Sequence, residues 1–139
     1  MIKRITAAFA LLLLFAGCGK DDGSYIPNVQ VRYHMTAAAF SVDAKNGVYI
    51  VENIGVAGIM IIKIAVNNYV AFDRCSSVNP EQRCKVTVDD SGITATDPCS
   101  GAKFLLTDGS PQKAPAVRAL KSYQVSLSGI GNGEINVSN

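Results

Sequence analysis

Histidine and tryptophan are almost absent from this sequence, which has one histidine, His34, and no tryptophan among 139 residues. Because most catalytic triads and many metal centres need an imidazole beside a second reactive group, this shortage excludes most of them. The chain also has little excess of charge of either sign, since it contains 13 Lys and Arg and 11 Asp and Glu. Two of the basic residues, Lys3 and Arg4, lie in the N-terminal segment, so the sequence after Cys18 is formally neutral. Nucleic-acid binding needs clustered basic side chains and is therefore not predicted.

Long apolar runs are few too, and the one at the N-terminus covers residues 5–15, directly after Lys3 and Arg4. This run is too short to span a bilayer comfortably, and the small residues Ala16 and Gly17 follow it, as in a secretory signal peptide. No second run reaches membrane-spanning length, which excludes a multi-pass membrane protein. The remaining length is enough for one domain only.

The five residues that end at Cys18, Leu-Phe-Ala-Gly-Cys, resemble the bacterial lipobox, in which the cysteine is acylated. The resemblance implies that residues 1–17 are a lipoprotein signal peptide and that Cys18 carries the lipid, including palmitate. Residues 18–28 are then the lipidated cysteine and a polar tether. Lys20, followed by two aspartates, resembles the surface-export signal of some Gram-negative lipoproteins, while a solvated linker has the same composition. We expect an exported protein that is lipid-anchored to the outer membrane. If residues 20–22 are a surface-export signal, the protein is also exposed at the cell surface.

Residues 29–139 are predicted to form one antiparallel β domain. Val31, Tyr33 and Met35 alternate with polar residues, the period-2 pattern of a half-buried strand that leaves His34 exposed. Residues 36–44 are alanine-rich and favour a helical turn, while the apolar runs 47–51 and 58–64 favour central strands. Turn signals separate further short strands at residues 69–72, 85–88, 93–96, 103–106, 123–127 and 134–138. About eight short strands with close turns indicate an all-β fold, either a sandwich or an open barrel.

Three stretches, at residues 70–75, 97–104 and 115–125, resemble in order and spacing the two cluster loops and the following strand of the Rieske iron–sulfur fold. The first family loop carries Cys-x-His, and this chain has Cys75 and Ser77 at those positions. The second carries Cys-Pro-Cys-His, and here Asp97 replaces the first cysteine and Ser100 the histidine. The resemblance implies a Rieske-like domain whose cluster loops are degenerate.

A Rieske [2Fe–2S] cluster needs two thiolates and two imidazoles. The single histidine, His34, lies outside both loops. The signal segment also lacks a twin-arginine pair, which implies export before folding, and a cluster inserted in the cytoplasm would not survive that passage. We therefore expect no metal and no cofactor, with a retained [2Fe–2S] centre as the alternative.

Besides Cys18, the chain has Cys75, Cys84 and Cys99, which can be oxidised outside the cytoplasm. A turn at residues 89–92 that pairs Val88 with Ile93 places Cys84 opposite Asp97, two residues from Cys99, and so favours a Cys84–Cys99 disulfide. In the resembled family Cys99 corresponds to the cysteine of a disulfide between the two loops. The pairings Cys75–Cys99 and Cys75–Cys84 stay open.

Three functions remain compatible with the sequence. The first is a non-catalytic, membrane-anchored lipoprotein that serves as an accessory domain, or as a domain that binds a ligand or a partner protein, at the outer membrane or cell surface. The second is Rieske-type electron transfer. The third is an enzyme with an unrecognised acidic site, for which a concavity near Asp73, Asp97 and Lys103 would be informative.

Overall fold

The computed structural model describes residues 26–139, so the predicted signal peptide, Cys18 and most of the predicted tether lie outside the described residues. The described part is almost entirely β-structure. Its strands are β1 (Arg32–Thr36), β2 (Val48–Val51), β3 (Ile59–Ala65), β4 (Asn68–Asp73), β5 (Thr87–Val88), β6 (Thr94–Thr96), β7 (Lys103–Leu105), β8 (Pro111–Lys113), β9 (Ser122–Ser128) and β10 (Glu134–Ser138). One α-helix, α1 (Ala37–Asp43), and two short 3₁₀ helices, Pro80–Gln82 and Ile130–Asn132, complete it. Among the described residues, none of the helices has the length and apolar content that spanning a membrane requires.

The strands form two antiparallel sheets, one of six strands in the order β1-β10-β9-β4-β3-β2 and one of four in the order β5-β6-β7-β8. The predicted all-β antiparallel architecture is therefore confirmed, although β8 was not predicted. The expectation that residues 47–51 form a central strand is wrong, because β2 lies at the edge of the larger sheet. Burial is uneven along one face of this edge strand, since Val48 is buried whereas Ile50, two residues further on and on the same face, is 38% exposed.

Strand β3 carries the core on both of its faces, as its uninterrupted apolar sequence predicts. Ile59 and Ile61 pack in a cluster with Phe40 of α1, on one side of the six-stranded sheet. Met60 and Ile62 point the opposite way and pack against Phe104 and other side chains of the four-stranded sheet. The domain thus consists of a helix, a large sheet and a small sheet stacked around two apolar clusters.

Helix α1 begins where the sequence predicts a helical turn. The hydroxyl of Thr36 accepts a hydrogen bond from the Ala39 amide at 3.0 Å and so caps the first turn. Phe40 is the buried residue of the helix and packs edge-on against Tyr69, with ring centroids 5.1 Å apart.

The register of the β5–β6 hairpin differs from the predicted one by two residues. Val88 lies opposite Ala95, not Ile93. The expected Val88–Ile93 pairing is wrong because the turn is longer than predicted: the Asp89 amide bonds the Thr94 carbonyl, and Ile93 stays in the turn, 59% exposed. Thr87 pairs with Thr96, so continuing this register for three residues toward the N-terminus of β5 brings Cys84 opposite Cys99.

Candidate functional site

Two loops meet at the end of the four-stranded sheet, one at residues 74–79 after β4 and one at residues 97–102 between β6 and β7. A disulfide joins Cys84 to Cys99, with the two Cα atoms 6.3 Å apart. This is the pairing that the strand register favours. Cys99 is exposed and Cys84 is half-buried, so the disulfide lies at the surface beside the loops.

Asp97 is the centre of the contact between the loops, and its side chain is fully buried. Its Oδ2 accepts hydrogen bonds from the hydroxyls of Ser76, at 2.7 Å, and Ser100, at 2.6 Å. Its Oδ1 accepts one from the Cys99 amide at 2.8 Å. Burial acts to raise the pKa of Asp97, but the hydrogen bonds from Ser100, Ser76 and the loop amides outweigh it, so the pKa lies below its usual value. Asp97 is therefore a buried, ionised carboxylate whose negative charge is held by protein donors.

Of the four residues predicted at the degenerate cluster positions, the structure brings only Asp97 and Ser100 into contact. Cys75 is fully buried, and its Sγ lies 3.5 Å from the Pro80 carbonyl, in a small cluster with Ile26 and Ala57. Burial and the nearby charge of Asp73 raise the pKa of the Cys75 thiol to about 11.

The side chain of Ser77 also lies outside the Asp97 network. Its hydroxyl donates to the carbonyl of Arg118 at 2.7 Å. In the first loop the side chain that faces Asp97 belongs to Ser76, one residue after Cys75. Sequence reasoning missed Ser76, because the stretch Cys-Ser-Ser does not reveal which residue of the loop points inward.

A second buried carboxylate, Asp73, lies just before the first loop, at the end of β4. It accepts hydrogen bonds from the amides of Val56, Ala57 and Cys75, at 2.7, 3.1 and 2.8 Å. The hydroxyl of Tyr123 donates to it at 2.7 Å, and burial together with this bond raises the pKa of Tyr123 far above its usual range. Val56 and Ala57 belong to the loop between β2 and β3. This loop can approach Asp73 closely because Gly55 has a φ of +70° and no side chain to collide with the carboxylate.

The residues at the loops do not fit a Rieske [2Fe–2S] cluster. Such a cluster requires two thiolates and two imidazoles, whereas the four corresponding positions offer one buried thiol, one hydrogen-bonded carboxylate and two hydroxyls. The remaining two cysteines of the described chain are joined to each other. His34 is exposed on β1, which forms the far edge of the other sheet.

Asp73, Asp97 and Lys103, near which a concavity would have been informative, do not present an open acidic site, because both carboxylates are fully buried and Lys103 is engaged elsewhere. The Lys103 ammonium lies 2.7 Å from Asp89 and 2.9 Å from the Thr96 hydroxyl. These bonds connect Lys103 on β7 to Thr96 on β6 and to Asp89 in the β5–β6 turn.

A groove of about 520 Å³ lies instead between β2 and β5, which are edge strands of the two sheets. Its walls include the apolar side chains of Tyr49, Ile50 and Val88, and Asp43 and Asp90 lie at its exposed margin. This volume is in the range of small-molecule and peptide sites.

The sequence matches no protein-family model, and a comparison with curated proteins finds no relative. Solved structures do resemble it. The plasma membrane Rieske protein of the cyanobacterium Synechocystis PCC 6803 is 23% identical, with a TM-score of 0.57 over 81% of this chain and 99% of that one.

Two ferredoxin-containing structures give a similar result. The ferredoxin of carbazole 1,9a-dioxygenase from Nocardioides aromaticivorans IC177 is 17% identical, with a TM-score of 0.51 over 79% of this chain and 97% of that one. A chain of the complex of reduced oxygenase and oxidized ferredoxin in carbazole 1,9a-dioxygenase is 20% identical, with a TM-score of 0.53 over 79% and 94%. The described domain therefore has a Rieske-like β fold.

Proposed function

We propose that this chain is a non-catalytic, lipid-anchored envelope protein whose Rieske-like domain binds a partner protein and carries no iron–sulfur cluster. The observation that supports this most strongly is the Asp97 network. Where the resemblance puts two cluster ligands, Asp97 instead accepts hydrogen bonds from the hydroxyls of Ser100 and Ser76. Inserting a cluster there would break these bonds and leave a buried carboxylate without its donors, which is costly.

The cluster-free state is tested by analysing iron and inorganic sulfide in full-length protein purified without oxygen. We expect a colourless protein without stoichiometric iron or sulfide. A red-brown protein with stoichiometric amounts of both would contradict the proposal.

Electron transfer through a [2Fe–2S] centre is the second candidate, because the similar solved structures are a Rieske protein and dioxygenase ferredoxins. That likeness concerns the fold alone. The side chains at the two loops do not fit a [2Fe–2S] cluster, which disfavours electron transfer. The same iron and sulfide analysis separates the two candidates.

The anchor is proposed on the sequence, in which Cys18 ends a lipobox-like motif. Each buried acyl CH₂ contributes about 0.8 kcal/mol, so two or three chains hold a protein on a membrane where one does not. Cells grown with labelled palmitate should yield labelled protein in the outer membrane fraction, and Cys18→Ser should abolish the label. An unlabelled, freely soluble mature protein would show that the anchor is absent.

A non-catalytic role is consistent with the state of the two candidate acids. Asp73 and Asp97 are both fully buried, and each is surrounded by at least three hydrogen-bond donors. A general acid or base must reach the proton it transfers. Neither carboxylate meets that requirement, which disfavours an enzyme built on this pair.

The groove between β2 and β5 is the surface that we propose for the partner. It combines apolar side chains in its walls with charged residues at its margin, the usual composition of a protein interface. Ile50, which is 38% exposed, points into it. Full-length protein in detergent should recover a membrane partner by cross-linking, and Ile50→Lys should reduce the recovery.

A control variant separates this groove from apolar exposure in general. Val66 is 85% exposed at the β3–β4 turn and is not among the residues that line the groove. Val66→Lys should leave the recovery unchanged. If both variants lower it equally, or if the wild-type chain is recovered alone, the groove is not the partner site.

A further inference from the structure

The disulfide and the buried carboxylate of the loops lie unusually close together. One carboxylate oxygen of Asp97 and the sulfurs of Cys84 and Cys99 all lie within 4.8 Å of one another. The two sulfurs are near each other because they are bonded. The informative distance is the one from the Asp97 carboxylate oxygen to the two sulfurs. Hydrogen bonds from Ser76 and Ser100, and not the disulfide, hold that carboxylate in place.

We propose that reduction of this disulfide creates a zinc site made of the thiolates of Cys84 and Cys99 and the carboxylate of Asp97. The reductant is a dithiol. It gives two electrons and two protons, so the Cys84–Cys99 bond breaks, two thiols form, and the dithiol becomes a disulfide. Zinc then displaces the two thiol protons to solvent as it binds the thiolates.

The donors suit zinc better than the hard cations. Zinc binds thiolates at about 2.3 Å and carboxylates at about 2.0–2.2 Å, whereas Ca²⁺ and Mg²⁺ prefer oxygen donors alone. The Cα atoms of Cys84 and Cys99 are 6.3 Å apart, so side-chain rotation alone can separate the sulfurs enough to share one ion. Three protein donors leave the fourth tetrahedral position to water.

The supporting contacts resemble those that orient ligands in established metal sites. Ligating carboxylates are themselves hydrogen-bonded by neighbouring groups that fix their direction. Ser76 and Ser100 supply such bonds to Asp97, at 2.7 and 2.6 Å. The carboxylate is therefore positioned before any metal arrives. Because Asp97 is fully buried, the two sulfurs must separate to admit the ion and its water to it.

Accessibility distinguishes these cysteines from the third one. Cys99 is exposed, so both a dithiol and a metal ion can reach the pair from solvent. Cys75 is fully buried, and its Sγ lies against the Pro80 carbonyl and not against Asp97. Cys75 therefore takes no part in the site and provides a matched control.

The experiment compares zinc binding by the full-length protein in its oxidised and dithiol-reduced states, by competition with a metallochromic indicator. We expect the reduced protein to bind one zinc ion per chain and the oxidised protein to bind none. Zinc should also slow alkylation of Cys84 and Cys99 and raise the thermal midpoint of the reduced protein only. Failure of the reduced protein to bind zinc, or equal binding in both states, would overturn the proposal.

Variants test which groups bind the ion. The double variant Cys84→Ser, Cys99→Ser should lose binding, whereas Cys75→Ser should retain it. Ser100→Ala should weaken binding by about 10-fold, since it removes a group that orients the carboxylate.

Asp97→Asn should weaken binding at least as much as Ser100→Ala. Thiols of an unfolded chain would bind zinc regardless of Asp97. Undiminished binding in both Asp97→Asn and Ser100→Ala would therefore show that the carboxylate is not a ligand and would overturn the three-donor site.

Discussion

The two buried aspartates differ in how the chain surrounds them. Asp73 is bonded by three main-chain amides and by Tyr123, which is 50 residues away in the sequence. Asp97 is bonded by two serine hydroxyls and one amide, all within the two loops. Main-chain donors are present whatever the side chain, proline excepted, while serine hydroxyls are lost on most substitutions. Asp73 thus belongs to the framework of the fold, and Asp97 to a local site whose chemistry side chains determine.

Removing Asp73 should have the largest effect on stability. Asp73→Ala would leave two buried amides, one partly buried amide and a buried hydroxyl without an acceptor, and we expect a loss of about 4 kcal/mol in the free energy of unfolding. Tyr123→Phe, which removes one of the four bonds, should cost about 2 kcal/mol. Urea denaturation of the variants measures both. A cost for Asp73→Ala no larger than that for Tyr123→Phe would show that the amides do not depend on this carboxylate.

Removing the disulfide should come next. The cysteines are 15 residues apart, and closing a loop of that size contributes about 3 kcal/mol, chiefly by restricting the unfolded chain. The double variant Cys84→Ser, Cys99→Ser should show this loss without added metal. A dithiol should lower the stability of the wild-type protein and of Cys75→Ser by a similar amount, but not that of the double variant. Equal sensitivity of all three would place the oxidised bond elsewhere.

Removing Asp97 should cost less than either change. In Asp97→Ala, the half-buried Ser100 hydroxyl can turn toward water, so the fully buried Ser76 hydroxyl is the main group left without an acceptor, and we expect a loss of about 2 kcal/mol. The ratio of this loss to that of Asp73→Ala tests the comparison directly. If Asp97→Ala is the more damaging of the two, the loop carboxylate and not Asp73 belongs to the framework.

A third, less buried carboxylate should give the smallest effect. Burial acts to raise the pKa of Asp89, but bonds from Lys103, Thr94 and Thr96 outweigh it and lower the pKa to about 2. Because the folded pKa is depressed, the stabilisation is complete above the unfolded value near 3.8 and is lost as the pH falls toward 2. With its side chain 23% exposed, we expect about 1 kcal/mol after solvent screening.

Acid titration of stability measures this contribution. Asp89→Asn should remove the pH dependence between about pH 4 and pH 2 that belongs to this group. If the wild-type and Asp89→Asn curves run parallel over that range, the ion pair with Lys103 contributes nothing.

Much of the fold could be predicted from the sequence, because alternation and apolar runs report directly on burial. Strand β1 and the two buried faces of β3 are examples, as is the short helix after Thr36. The edge position of β2 was missed, since an apolar four-residue strand looks the same at the edge and in the middle of a sheet. The β5–β6 register was missed by two residues because Ile93 is apolar but lies in the turn.

The site was less predictable than the fold. Spacing and resemblance favoured the Cys84–Cys99 pairing, although the register behind it was wrong by two residues. The contact of Asp97 with Ser100 was not predicted. That Ser76 and not Cys75 faces Asp97 depends on the path of an irregular loop, which no periodicity determines. The four donors of Asp73 come from three segments, two of them distant in the sequence, so only the folded structure brings them together.

The central claim is that these loops hold a hydrogen-bonded carboxylate where a Rieske-like fold could hold a cluster. Its most direct test is electron paramagnetic resonance of the full-length protein after incubation with iron and sulfide and chemical reduction. We predict no signal of a reduced [2Fe–2S] centre, in the wild-type protein or in Cys75→Ser. A stoichiometric signal that Cys75→Ser abolishes would contradict the claim and make Cys75 a cluster ligand.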